Sequence, residues 1–242
     1  MTILQDIKEE LQSLANSETA RHSQRFFKTG KDEYGEGDIF LGIRVPVIRK
    51  LAKKYSQLSL TNIRSLLKSK FHEQRLLAII MLVNLYKITD KQTQKDIFTI
   101  YINNTKYINN WDLVDISAAS IVGAYLDDKN KRLLYDFSDS DDLWQRRISI
   151  ISTYYFIRNN DFTDCLKLSK HLLNDPHDLI HKAVGWMLRE VGKRNQSIEE
   201  AFLDKYASRM PRTMLRYALE KFPADTRKSY MAMKHRLTAH ES

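Results

Sequence analysis

Two tryptophans, one aspartate and a set of cations are the residues of this sequence whose types and spacing suggest chemistry. Trp111 and Asp115 are four apart, which stacks them one above the other on a single helical face. Lys182, Trp186, Arg189 and Lys193 follow at intervals of four, three and four, again one face, and Trp144 is followed by Arg146 and Arg147. A large ring among cations makes poor core and unusual surface. It suits nucleic acid, whose phosphates meet Lys and Arg while sugars or bases meet the ring. Each element also has a plainer reading. A Trp on a repeat helix is commonly core, Asp115 could complement a helix dipole, and Lys182 with Arg189 could be a solvated stripe.

Other chemistries lack their residues. There is no Walker-A loop, no Rossmann glycine fingerprint and no nucleophile elbow. The seven histidines, His22, His72, His171, His177, His181, His235 and His240, include no HExxH pair. His177 and His181 are four apart without a third ligand in view, so neither a metal nor any other cofactor is expected. The single Cys165 cannot form an internal disulfide and reads as a core residue, which fits a reducing compartment.

The elements that must position these residues are helices. Apolar residues recur at three- and four-residue spacing over 45–55, 71–86, 111–126, 143–156, 179–191 and 198–207. Polar connectors at 89–90, 127–130, 138–142, 159–161, 174–176 and 195–197 separate them, several offering Asp, Asn or Ser where an N-cap belongs. No alternating run is long enough for a sheet. The segments around Glu73, Trp111, Arg146 and His181 recur at roughly 36 residues, each with room for a second helix, the signature of a helical repeat. The TPR pattern is missing. The expected fold is therefore all-α, a HEAT-like solenoid forming one domain over 1–242 with a concave basic groove. The stretch 29–38 departs from the repeat. It holds Gly30, Gly35 and Gly37 and reads as an irregular surface loop, either a plain connector or a functional, mobile segment.

Composition agrees with such a chain. Its 242 residues are 43% hydrophobic and 29% charged with a mean hydropathy of -0.47. Only 7 Gly and 4 Pro argue against sandwiches and barrels. A net charge of +9 favours a polyanionic partner, nucleic acid first and an anionic membrane second. The N-terminal MTILQDIKEELQSL reads as an amphipathic charged helix and not as a signal peptide. No uncharged apolar run reaches the roughly 18–20 residues of a membrane span. The residues around Lys228 and Lys234 read as a solvated terminal helix.

FLGIRVP at 40–46, WDLVD at 111–115, WQRR at 144–147, GWMLRE at 185–190 and PRTMLRYA at 211–218 stand out in this order along the chain. Together these five stretches resemble the AlkD family of HEAT-like-repeat alkylpurine DNA glycosylases. The resemblance implies a DNA repair glycosylase that hydrolyses the N-glycosidic bond of alkylated, cationic purines in duplex DNA. It implies Asp115, Trp111, Trp186 and Arg147 as the residues at the reaction. Lys28, Lys31, Arg44, Arg146, Lys182, Arg189 and Lys193 are the cations expected to meet DNA. The 29–38 stretch is longer than the resemblance leads one to expect, and the family's nearby aromatic falls on Phe26 or Phe27. Double-stranded DNA is the expected partner of a cytoplasmic monomer, nucleoid-associated if bacterial, with no membrane contact. Two alternatives stay open at this point: a non-catalytic binder of damaged or branched DNA, and a HEAT-like protein-interaction scaffold.

Overall fold

The computed structural model describes residues 2–233, an all-α helical-repeat fold in two compact units, Met1–Ile121 and Val122–Ser242. In the first, α1 (Ile3–Ser13) buries Ile7 and Leu11, one turn apart on the same face. α2 (Ser17–Phe26) starts where the Asn16 side chain accepts from the Thr19 amide. α3 (Val45–Lys54) has Pro46 in its first turn, where a missing N–H costs nothing. α4 (Leu60–Leu67) is capped by Ser59. α3 and α4 both pack on α5 (His72–Tyr86), whose residues from His72 to Leu82 are all buried. α6 (Lys91–Ile102) is capped by Asp90, and α7 (Trp111–Asp115) by Asn110.

The second unit opens with α8 (Ala124–Leu126) and α9 (Arg132–Ser138), which packs on α10 (Leu143–Arg158). α11 (Thr163–His171) and α12 (Asp178–Gly192) follow. Then come α13 (Gln196–Tyr206), α14 (Arg212–Ala218) and α15 (Ala224–Ala232). α12 is central and packs against α10, α13 and α14. Its crossing with α14 needs Gly185, since a Cβ there would lie 2.3 Å from the Met214 carbonyl oxygen. The helices that start at residues 72, 111, 143 and 178 keep the expected repeat. Among the described residues the only pairing of extended backbone is a single bridge, Ile39 with Phe71. No described helix is long and apolar enough to cross a membrane.

One segment differs from expectation. The periodic run 111–126 is not one helix. α7 stops at Asp115, a turn follows, and a π-helical turn, Ala119–Gly123, precedes α8. The physical reason lies in Ser117. Its hydroxyl donates back to the Leu113 carbonyl at 2.5 Å and meets the Tyr101 hydroxyl at 2.9 Å. Such back-bonding competes with the helix ladder and bends it. Lys228 lies exposed on α15, whereas Lys234, His235 and His240 lie outside the described residues.

Candidate nucleic-acid interface

In the first unit, the 29–38 stretch folds on itself and delivers an acid to the interior. The Gly35 amide donates to the Lys28 carbonyl at 3.0 Å, and a Cβ on Gly35 would lie 2.5 Å from the Phe27 carbonyl. Glu33 accepts from the Gly30 amide and Glu36 from the Asp32 amide. The segment ends on Asp38, which is buried. Arg75 Nη2 donates to its Oδ1 at 2.6 Å and His72 Nδ1 to its Oδ2 at 2.8 Å. The other ring nitrogen of His72 donates to Asp112 Oδ2 at 2.8 Å.

With a carboxylate at each nitrogen, the ring is held as imidazolium. Burial pulls the His72 pKa down, but the charges and hydrogen bonds of Asp112 and Asp38 outweigh it and raise the value to about 9. Burial pushes Asp38 the other way, yet His72 and Arg75 keep its carboxyl below the usual carboxylate range. Next to His72, the Glu73 carboxylate accepts three consecutive amides, Leu41 at 2.8 Å, Gly42 at 2.7 Å and Ile43 at 3.2 Å. Gly42 has φ 82°, and a Cβ there would meet the Asn16 carbonyl at 2.2 Å, so only glycine fits.

This buried charge carries a stack of rings. Phe40 stacks on His72 with centroids 4.3 Å apart, and Phe27 stacks on Phe40 at 5.0 Å and on Trp111 at 5.1 Å. Phe26 meets Trp111 edge-on at 5.8 Å and is 58% exposed. Asp112 fixes the start of α7 from both sides: Oδ2 takes His72 and Oδ1 takes the Leu113 amide at 2.9 Å. Asp115 stands one turn beyond Trp111 and is half-buried. Burial, opposed by the Ser117 bond and assisted by the charge of Asp115, pushes the Tyr101 hydroxyl up. Lys28, Lys31 and Arg44 are exposed on this unit.

In the second unit the predicted cations are differently engaged. Arg147 is buried and donates from Nη1 to the Leu179 carbonyl at 2.6 Å. Arg146 Nε pairs with Asp175 at 2.7 Å, and its Nη1 donates to the carbonyls of Ser140 and Asp141. On α12, Lys182, Trp186 and Arg189 are half-buried and Lys193 is exposed. Buried Glu190 gathers three of the four. Its Oε1 accepts from Trp186 Nε1 at 3.0 Å and Lys193 Nζ at 2.6 Å, with Arg189 at 3.6 Å. Arg189 also pairs with Glu220, in the short 3-10 turn that follows α14, and Lys182 with Asp178 at 2.7 Å. His177 accepts from the Leu179 amide and His181 donates to the Asp175 carbonyl, so both serve the start of α12. Cys165 is buried, and burial pushes its thiol up to about 12.

Trp111 and Asp115 thus share one short helix of the first unit, and Trp186, Arg189 and Lys193 cluster on Glu190 in the second. Sequence reasoning missed the Asp38–His72–Asp112 bridge, Arg75, Glu73 and the ring stack. A signal was present: four polar residues, His72 to Arg75, open a helix whose next eight residues are all apolar, and the glycine-rich stretch ends on an aspartate.

A sequence model of the family described as DNA alkylation repair enzyme matches residues 7–222. No curated protein matches the chain. Among solved structures, an Enterococcus faecalis protein described as a predicted DNA alkylation repair enzyme superposes with a TM-score of 0.68 at 16% identity, covering 87% of this chain and 97% of that one. A Streptococcus mutans protein, smu.31, matches at 15% identity with a TM-score of 0.48, over 91% of this chain and 99% of its own.

Proposed function

We propose, from the premise that this chain belongs to the DNA alkylation repair enzyme family, that it is an alkylpurine DNA glycosylase acting on duplex DNA as a monomer. The observation that carries the reading is the placement of Trp111 and Asp115 on one helix, α7, whose start is held by a buried ionic network beside an exposed aromatic ring.

The chemistry asks for little machinery. Alkylation at N3 or N7 leaves the purine cationic. When the bond from its N9 to the sugar breaks, the electron pair goes to the base, which departs neutral. The sugar is left oxocarbenium-like, and the Asp115 carboxylate stabilises that charge. Asp115 also orients water for attack at the anomeric carbon and receives its proton. The products are a free alkylpurine and an abasic site. Trp111 packs against the sugar and backbone of the damaged nucleotide, and Phe26 offers its face to the cationic base. Trp186, with Lys182, Arg189 and Lys193, grips DNA through the second unit. Arg147, buried and bonded to the Leu179 carbonyl, supports the start of α12 instead of meeting phosphate itself. Lys28, Lys31 and Arg44 add charge on the first unit, and Arg146 supports the start of α12 through Asp175.

The test is release of free 7-methylguanine from duplex DNA in single turnover. Asp115→Asn is expected to lower the rate by about 100-fold or more, the scale of losing a preorganised electrostatic group. An Asp115→Asn protein that excises at the wild-type rate overturns the assignment. Tight DNA binding without release by the wild type replaces it with a non-catalytic binder.

A further inference from the structure

α14 and α15 carry a surface that the function proposed above leaves unused. Residues 209–233 hold Arg209, Arg212, Arg216, Lys221, Arg227 and Lys228 against two carboxylates, Glu220 and Asp225. Glu220 turns toward other cations, pairing with Arg189 of α12 and with Lys221 at 3.4 Å. Arg212 Nη2 donates to the Met231 carbonyl at 2.6 Å, which ties the end of α15 to the start of α14. The two helices leave between them a cavity of about 430 Å³ lined by Arg216, Glu220, Ala224, Arg227, Lys228 and Met231. Arg216, Arg227 and Lys228 are exposed, and none forms an ion pair among the described residues. Like charges gathered round one depression repel each other unless an anion enters it.

A second basic cavity in the same unit shows what neutralisation looks like. It measures about 610 Å³ and is lined by Lys129, Lys131, Arg132 and Lys167 together with Asn130, Tyr135 and Asp164. There Asp128 pairs with Lys129, Asp136 lies 3.6 Å from Arg132, and Asp164 sits in the wall itself. Lys129 and Arg132 thus have carboxylate partners. In the α14–α15 cavity the wall carboxylate, Glu220, is held by Arg189 and Lys221, and Arg216, Arg227 and Lys228 have no ion-pair partner among the described residues.

Position adds to charge. The approach of α14 to Gly185 brings it against α12 next to Trp186, and Glu220 joins Arg189 of the α12 stripe to the cavity wall. We infer that the α14–α15 cavity seats the phosphodiester backbone of duplex DNA, with Arg216, Arg227 and Lys228 as its phosphate contacts. The inference rests on DNA being the partner, as proposed above, and prolongs the α12 stripe onto α14 and α15. These contacts are blind to sequence and lesion, so they set residence on DNA and not the rate of base release.

The experiment measures binding of an undamaged duplex across a salt series, for the wild type and two triple variants that lose the same charge. Arg216→Ala/Arg227→Ala/Lys228→Ala is expected to weaken binding about 10- to 100-fold near 0.1 M salt and to flatten the log–log salt slope by about 2 to 3. Lys129→Ala/Arg132→Ala/Lys167→Ala is expected to change affinity by less than about threefold. The single variant Arg227→Glu, at an exposed position without a hydrogen bond to lose, guards against misfolding of the triple and should weaken binding alone. Equal weakening by both triples would mean that net charge alone matters, and it overturns the inference. So does an unchanged salt slope in the first triple with wild-type binding intact, which leaves the proposed function standing. A wild type that does not bind duplex DNA overturns both.

Discussion

The two units hold their aromatic and charged side chains by opposite means. In the first, charge is buried and matched: Asp38 meets His72 and Arg75, His72 meets Asp112, and Glu73 takes three backbone amides. In the second, the cations of α12 are half-buried or exposed and share carboxylates: buried Glu190 serves Trp186, Arg189 and Lys193, while exposed Asp178 and Glu220 serve Lys182 and Arg189. Buried pairs fix geometry because removing one partner strands the other in a medium that cannot solvate it. Surface pairs exchange readily with an incoming phosphate. Rigid positioning therefore belongs to the helix of Trp111 and Asp115, and on the function proposed above the exchangeable grip belongs to α12.

The contrast can be broken at its strongest point first. Asp38→Ala removes the acceptor of two buried cations and should destabilise the protein by about 3–5 kcal/mol in chemical denaturation. A loss below about 1 kcal/mol, the range of surface pairs, would erase the distinction.

The next effect is a pH profile. The folded pKa of His72, about 9, lies above its ordinary 6.5, so the unfolded chain binds fewer protons between those values. Its contribution is present in full below 6.5 and lost as pH rises through 9, a decline of about 3 kcal/mol. His72→Gln should lack that slope, and a wild type with flat stability from pH 6.5 to 9 would speak against a buried imidazolium.

The second unit holds the converse case. Glu199 is buried and its Oε1 has no hydrogen-bond partner among the described residues. Burial first, and then the charge of Glu200, raise its pKa from 4.5 to about 8. The ionised form is disfavoured in the fold, so stability falls as pH rises from 4.5 to 8. Glu199→Gln should stabilise by about 1–3 kcal/mol at pH 8 and by little at pH 4.5. Equal gains at both pH values would count against an unmatched buried charge. Smallest of all, Trp186→Phe deletes one donor to Glu190 and should cost about 1 kcal/mol of stability. Its larger signature should be weaker DNA binding, and a variant with unaltered affinity would remove Trp186 from the interface.

What the sequence disclosed follows the reach of its interactions. The periodic runs 45–55, 71–86, 143–156 and 198–207 coincide with α3, α5, α10 and α13 to within one or two residues, because a helix that buries a face, or as in α5 nearly its whole girth, places apolar residues in every turn. The run 179–191 was equally legible as α12, and so was the Trp186 stripe. The break after Asp115 was not. It depends on the Tyr101 hydroxyl, 16 residues away from Ser117 and invisible to any period. The ionic bridge failed for the same reason and one more: charged residues are ordinarily read as solvated, whereas His72, Arg75 and Asp38 are interior. Arg147 belongs with them, a cation expected to face phosphate whose side chain is largely buried.

The bridge through His72 also says something about the order in which the chain folds. It joins residues 34, 37 and 40 positions apart, so none of its contacts can form until long loops have closed. Loop closure is paid before such contacts return anything, whereas the turns of α5 form locally. The ring stack of Phe27, Phe40 and Trp111 is then a late event on the way to the native state and an early one on the way out. Hydrogen exchange should find the amides of Leu41, Gly42 and Ile43, which rest on the distant Glu73 carboxylate, less protected than those in the middle of α5.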